Sequence, residues 1–247
     1  RYMPYHNSAM NSYIENTFAQ HITKTAIQGM PVAYFEGEVI VVDRMEMVAE
    51  AAAYLRSHTV LGVDTEARPS FKRGVHYPTA LVQIATEERC YLFRLTHIGL
   101  PTEIAEIFAN PNICKVGLAF KDDITGLRRR RDFKPANCID LQSIVCKYGI
   151  MELGLQKIFA IIFGKKISKA QQLTNWENSH LTPEQAKYAS TDAWATLLIY
   201  LTLQRTKPLS KRAVEALKRA EKEAQIQRQQ EAMAKRCTEN GATTPNS

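Results

Sequence analysis

Apolar and polar positions alternate in blocks along this chain, and the blocks change period. "PVAYFEGEVIVVD" pairs two short β-rich runs around Glu36-Gly37, a pattern that predicts a hairpin. Asp43 then stands where it can cap a helix through "RMEMVAEAAAYLRSH", whose apolar residues recur at helical spacing. "TVLGVDTEA", "TALVQIAT" and "RCYLFRL" follow as three strands with short polar links, which predicts an antiparallel meander. Beyond them the pattern alternates. "PTEIAEIFAN" predicts a helix, "ICKVGLAF" a strand ending near Phe120, and "DDITGLRRRR" a helix capped by Asp122. "CIDLQSIVC" begins as a strand and turns helical, and "LGLQKIFAIIFG" and "TPEQAKYASTDAWATLLIYLTLQ" are helices. Strands first antiparallel and then separated by helices predict an α/β domain, a mixed sheet flanked by helices.

Two segments stand apart from this body. Residues 1–29 carry little pattern and read as an N-terminal arm. Residues 205–247 open with a charged Ala/Lys/Glu/Gln helix lacking a sustained apolar stripe and end in a polar stretch, a solvated and partly frayed tail. The domain between them is expected over 30–204. Charge follows the same division. Of the net +7, the tail supplies ten Lys or Arg against five Glu, so the body is close to neutral and its charge argues only weakly for a nucleic-acid partner.

No apolar run reaches the length of a membrane span, so no membrane partner is expected. Five cysteines without a CxxC pair suggest neither a zinc site nor a disulfide framework. With no secretory pattern at the start, the expected location is cytoplasmic.

Three places break the apolar logic. In "LGVDTEA", Asp64 and Glu66 are two apart at the end of an apolar strand, so both carboxylates project from one face. Like charges held that close need a compensating partner. In "KVGLAFKDDITGL", Asp123 is four residues from Leu127 and so at the inner edge of its helix, with Asp122 better placed as cap. In the helix started by Thr182, Pro183 and Gln185, Tyr188 and Asp192 are four apart on a face that also carries Ala195 and Ile199. Singly, each has a structural explanation: an exposed strand pair, a helix cap, a polar core position. Together, four acids in one mixed fold form a set that hard divalent cations such as Mg²⁺ or Mn²⁺ would neutralise.

In this order, Asp64-x-Glu66, Asp123 and Tyr188-x-x-x-Asp192 resemble the DEDD superfamily of 3′–5′ exonucleases, tyrosine subclass, most nearly ribonuclease D and the Werner-syndrome-type exonuclease domain. "PTALVQIAT", "VGL" and "NWENSHLTPEQAKYASTDA" add to the resemblance, which spans about residues 30–204. It implies a ribonuclease H-like fold with a five-stranded mixed sheet. It also implies removal of nucleoside monophosphates from a nucleic-acid 3′ end by two divalent cations, Mg²⁺ or Mn²⁺, about 4 Å apart. Asp64 would bridge the two, Glu66 and Asp192 would hold the one beside the attacking water, Asp123 would serve the second, and Tyr188 would orient the water. DNA is slightly favoured over RNA.

The alternatives are a ribonuclease D-like RNA-processing enzyme and a nucleic-acid-binding scaffold on a retired nuclease fold. Lys72 and Arg73, in the basic loop "SFKRGVHYP", are candidates for phosphate contacts. Arg128 to Arg131 and Trp176 read as a helix-end charge run and a packing residue, although each could touch nucleic acid.

Overall fold

A computed structural model describes residues 13–72 and 74–241, with side chains as far as Ala234. A short helix α1 (Lys24–Gln28) leads through an extended segment to β1 (Glu38–Val42), and α2 (Val48–Arg56) follows. The meander comprises β2 (Val60–Ala67), β3 (Thr79–Ala85) and β4 (Arg89–Arg94). Then come α3 (Leu95–Ile98), α4 (Thr102–Ala109), β5 (Cys114–Gly117), α5 (Phe120–Arg130), β6 (Cys138–Asp140) and α6 (Leu141–Ile144). The chain finishes with α7 (Leu155–Phe163), α8 (Pro183–Arg205) and α9 (Lys211–Gly241).

The strands form one sheet in the order β1-β4-β3-β2-β5-β6. β2, β3 and β4 pair antiparallel, while β1, β5 and β6 join parallel to their neighbours. The sheet thus has six strands, one more than the resemblance implies, with the three-residue β6 at one edge. β3 is buried at all seven positions, as expected for a strand covered on both faces. One core lies between the sheet and α2, α4 and α5, around Leu55, Phe93, Phe108 and Leu127. The other face packs on α7 and α8 through Val116, Ile158, Phe159 and Ile199.

Four local expectations are corrected. No hairpin forms around Glu36-Gly37, because the earlier run has other partners: Val32 bridges Lys166, and the Phe35 N–H donates to the Thr191 hydroxyl on α8 at 3.1 Å. Asp43 caps nothing. It lies 3.6 Å from the Arg44 guanidinium, and α2 is entered through a 3₁₀ turn at Met45–Met47. β5 stops at Gly117, short of Phe120, because Ala119 adopts a left-handed conformation (φ 53°) that turns the chain into α5. Asp122 is not the cap of that helix: the Asp140 carboxylate, from β6, accepts the N–H groups of Ala119 and Phe120, both at 3.1 Å.

The segments flanking the body are tied to it. Ile14 pairs with the end of α8, its N–H donating to the Arg205 carbonyl at 2.8 Å. The Met151 N–H donates to the Gln20 carbonyl, and His21 sits between Glu152 and Glu221 of α9. The Leu209 N–H donates to the Lys147 carbonyl just before α9 begins.

Candidate active site

α8 is placed by its own start signal. The Thr182 hydroxyl accepts the Gln185 N–H at 3.2 Å, and the Gln185 side chain accepts the Thr182 N–H at 3.1 Å, a reciprocal capping box with Pro183 in the first turn. Across from it, β2 presents Gly62. A Cβ there would lie 2.7 Å from Leu197 Cβ and collide with the Ala193 carbonyl, so only glycine lets the helix approach this closely. Gly62, Asp64 and Glu66 alternate onto that same face. Asp192, one residue before Ala193, is thereby brought onto the two acids of β2.

Asp64, Glu66 and Asp192 each offer a carboxylate oxygen within 4.8 Å of the others. Asp192 is buried at 7 % exposure and Tyr188, one turn earlier, at 8 %. These groups line a cleft of about 290 Å³, closed by Leu118, Gly154, Gln156, Ile167, Ser168, Lys169 and Gln172. Asp123 reaches the end of β2 from α5, where its carboxylate accepts the Thr65 hydroxyl at 2.5 Å. Asp123 is half-buried, while Asp122 points to solvent.

Crowded, half-desolvated carboxylates favour the protonated form. Burial raises Asp64 well above the ordinary aspartate range, and Asp192, Glu66 and Asp123 push it further. Burial, then Asp192 and Asp123, push Glu66 up to about 9. Burial lifts Asp123 to about 7, against the opposing Thr65 hydrogen bond. Asp192 also rises to about 7, through burial that Tyr188 and Lys169 only partly offset. The Tyr188 phenol is raised far above its usual value by burial and by Asp192 and Glu66, so it stays protonated. An all-oxygen donor set held together against its own repulsion fits hard divalent cations such as Mg²⁺ or Mn²⁺.

The other sequence candidates lie elsewhere. Lys72 is exposed in the 68–78 loop, on a shallow cleft with Arg68, Phe71, Tyr77 and Leu173 that shares no lining residue with the acid cleft. Arg73 falls outside the described residues. Arg130 donates to the Thr79 and Leu95 carbonyls, Arg131 to the Leu100 carbonyl, and Arg128 pairs with Asp132 at 2.8 Å, so three of the four arginines serve the fold. Trp176 is fully buried, its ring centroid 6.0 Å from that of Tyr188, and presents no face for a base.

Three residues of the site escaped sequence reasoning. Thr65 could have been suspected from its place between the two strand acids. Asp140 looked only like a strand end before a helix, and Lys169 carried no pattern at all.

A family model described as 3′–5′ exonuclease matches residues 39–207. The chain is 31 % identical over 150 residues to the mouse bifunctional 3′–5′ exonuclease/ATP-dependent helicase WRN, covering 58 % of this chain and 11 % of that protein. To a 3′–5′ exonuclease of Arabidopsis thaliana it is 29 % identical over 150 residues, covering 58 % and 52 %. The chain therefore spans between about a tenth and about half of these relatives. Among solved structures, Trypanosoma brucei RNase D in complex with RNA U12 superposes with a TM-score of 0.63 at 19 % identity, over 70 % of this chain and 64 % of that one. Escherichia coli RNase D superposes with a TM-score of 0.61 at 23 % identity, over 68 % and 44 %. These likenesses carry the fold, a ribonuclease H-like α/β architecture.

Proposed function

This chain belongs to the 3′–5′ exonuclease family, and on that premise we propose that it hydrolyses nucleic acid from the 3′ end, releasing nucleoside monophosphates with the help of two divalent cations. The observation that carries the reading is the convergence of Asp64, Glu66 and Asp192 within 4.8 Å, with Tyr188 beside them. Asp64, Glu66 and Asp192 would hold one cation, and Asp64 with Asp123 a second. When bound, such cations supply Lewis acidity toward a phosphate oxygen and toward the attacking water.

The protein's own groups do the rest. Tyr188, kept neutral by its surroundings, orients the water through its hydroxyl and is no general base. Thr65 fixes the rotamer of Asp123, and Asp140 fixes the helix that carries it. Lys169 lines the cleft and places a positive charge near Asp192.

DNA is the first-choice substrate, as the resemblance to the Werner-type exonuclease domain implies, and the 31 % identity to the WRN exonuclease/helicase supports that resemblance. A second reading, an RNA strand, is favoured by the similarity to an RNase D bound to RNA U12. The test is digestion of matched 5′-labelled DNA and RNA strands with Mg²⁺ or Mn²⁺. A ladder shortening from the 3′ end supports the proposal, and whichever strand shortens faster names the substrate. Binding without cleavage under both ions overturns it in favour of a scaffold.

A further inference from the structure

The acid cleft continues into a second hollow. Gly154, Gln156 and Lys169 line both, and the second opens to about 700 Å³ between α1, the segment before α7, and the 166–169 stretch. Its walls carry Lys24, Lys157, Lys166 and Lys169 against a single acid, Glu152. Glu152 is already engaged by Lys157 at 2.8 Å and faced by His21 at 3.4 Å. Lys166 donates to the Gln28 carbonyl at 2.5 Å, which fixes its ammonium in the wall. Lys24 and Lys169 are exposed, and neither ammonium group makes a side-chain hydrogen bond or salt bridge among the described residues, although Lys169 lies close enough to Asp192 to favour its ionised form. A cleft lined by three carboxylates repels phosphate, and a lysine-walled trench running out of it reverses that sign next door.

The chemistry of the reaction decides which part of a strand could use it. In cleavage from a 3′ end, the departing nucleotide contributes one phosphate, the scissile one, and ends in a hydroxyl. Every other phosphate lies on the 5′ side. A wall of several cations beside the cleft therefore finds partners only there. We propose that the trench formed by Lys24, Lys166 and Lys169 receives the phosphodiester backbone on the 5′ side of the bond to be cut. The inference rests on the exonuclease reading above and deepens it by giving the strand a direction across the protein.

The alternative path crosses Lys72 and Arg68. That flank shares no lining residue with the acid cleft, and its Arg68 is drawn toward Glu177 at 3.7 Å and stacked over Tyr77 at 4.9 Å.

The test is fluorescence anisotropy of a 5′-fluorescein 20-mer single strand with the full chain in EDTA, titrated with NaCl, so that binding is read without cleavage. Lys24→Ala/Lys169→Ala should weaken Kd about ten-fold at low salt and flatten the slope of log Kd against log salt by about 1.4, two single-strand phosphate contacts. The same variant should bind a dinucleotide, which has only the scissile phosphate, with a much smaller penalty. Both side chains are exposed, and a thermal melt matching that of the wild type confirms an intact fold. An unchanged Kd and slope, an equal penalty on dinucleotide and 20-mer, or a slope change produced by Lys72→Ala instead would each overturn the proposal, as would a wild type that does not bind the 20-mer. Digestion with Mn²⁺ is scored separately: a wild type that binds through the trench but never cuts sinks the exonuclease reading and leaves the binding assignment standing.

Discussion

Asp64 on β2 and Asp192 on α8 offer carboxylate oxygens within 4.8 Å of each other because Gly62, on the same face of β2, has no side chain to hold Ala193 and Leu197 away. Gly62→Ala should push the helix outward. We expect a loss of about 1–3 kcal/mol from overpacking, read by denaturant unfolding, together with a large drop in 3′ digestion although every acid is intact. A variant of wild-type stability and activity would show that the approach is not set by this residue.

In EDTA, stability should fall as pH rises. Asp123 and Asp192 at about 7, Glu66 at about 9 and the raised Asp64 all bind protons more tightly folded than unfolded. Their contribution is complete below the ordinary carboxylate range, near pH 4, and is lost as pH passes through about 7 and then 9. Melting temperature should decline from pH 5 to pH 9, and both Mn²⁺ and Glu66→Gln should flatten that decline. A melting temperature that climbs across this range would contradict the cluster's electrostatics.

Tyr188→Phe keeps the ring against Trp176 and removes only the hydroxyl. Steady-state digestion should show kcat down by about 10²-fold with KM little changed, the cost of a misplaced nucleophile. A raised KM with kcat unchanged would point to substrate binding instead.

Asp140→Ala removes the acceptor of the Ala119 and Phe120 N–H groups at the start of α5. A cost of about 1 kcal/mol is expected, typical of a lost cap. Because the same helix carries Asp123, the Mn²⁺ concentration for half-maximal activity should rise as well. Stability lost without any change in the metal requirement would make Asp140 a cap and nothing more.

Gln83 pairs across the strands with Asp64, is fully buried, and leaves both amide atoms without a partner among the described residues. Replacing it by an apolar side chain of similar length removes that desolvation cost. Gln83→Met should raise stability by about 1 kcal/mol in thermal or denaturant melts. A comparable loss would mean the amide is satisfied through buried water.

The parts of this molecule that were legible in the sequence are those written in consecutive residues. Val60–Ala67 and Thr79–Ala85 declare themselves as strands through the apolar runs that open them, and Thr182 with Gln185 announces α8. Asp64, Glu66, Tyr188 and Asp192 stood out because acids and a phenol at those spacings contradict an apolar setting. What could not be read depended on partners distant in the chain. The run at Val32–Phe35 had strand-like composition, but its backbone pairs with Lys166 and Thr191 in place of a hairpin. Asp122 has the composition of a cap, yet Asp140 does the capping from another strand, and nothing local marks the left-handed turn at Ala119. The trench lysines come from two distant stretches, Lys24 in α1 and Lys166 with Lys169, which no local pattern links.

Lys24 and the ties of Ile14, Gln20 and His21 lie ahead of residues 39–207, the stretch matched to the family. Of the three lysines in the proposed trench, Lys24 alone is thereby supplied from outside the stretch that carries the acids. Substitution at Lys24 would then change the hold on longer strands while Asp64, Glu66, Asp123 and Asp192 stay as they are.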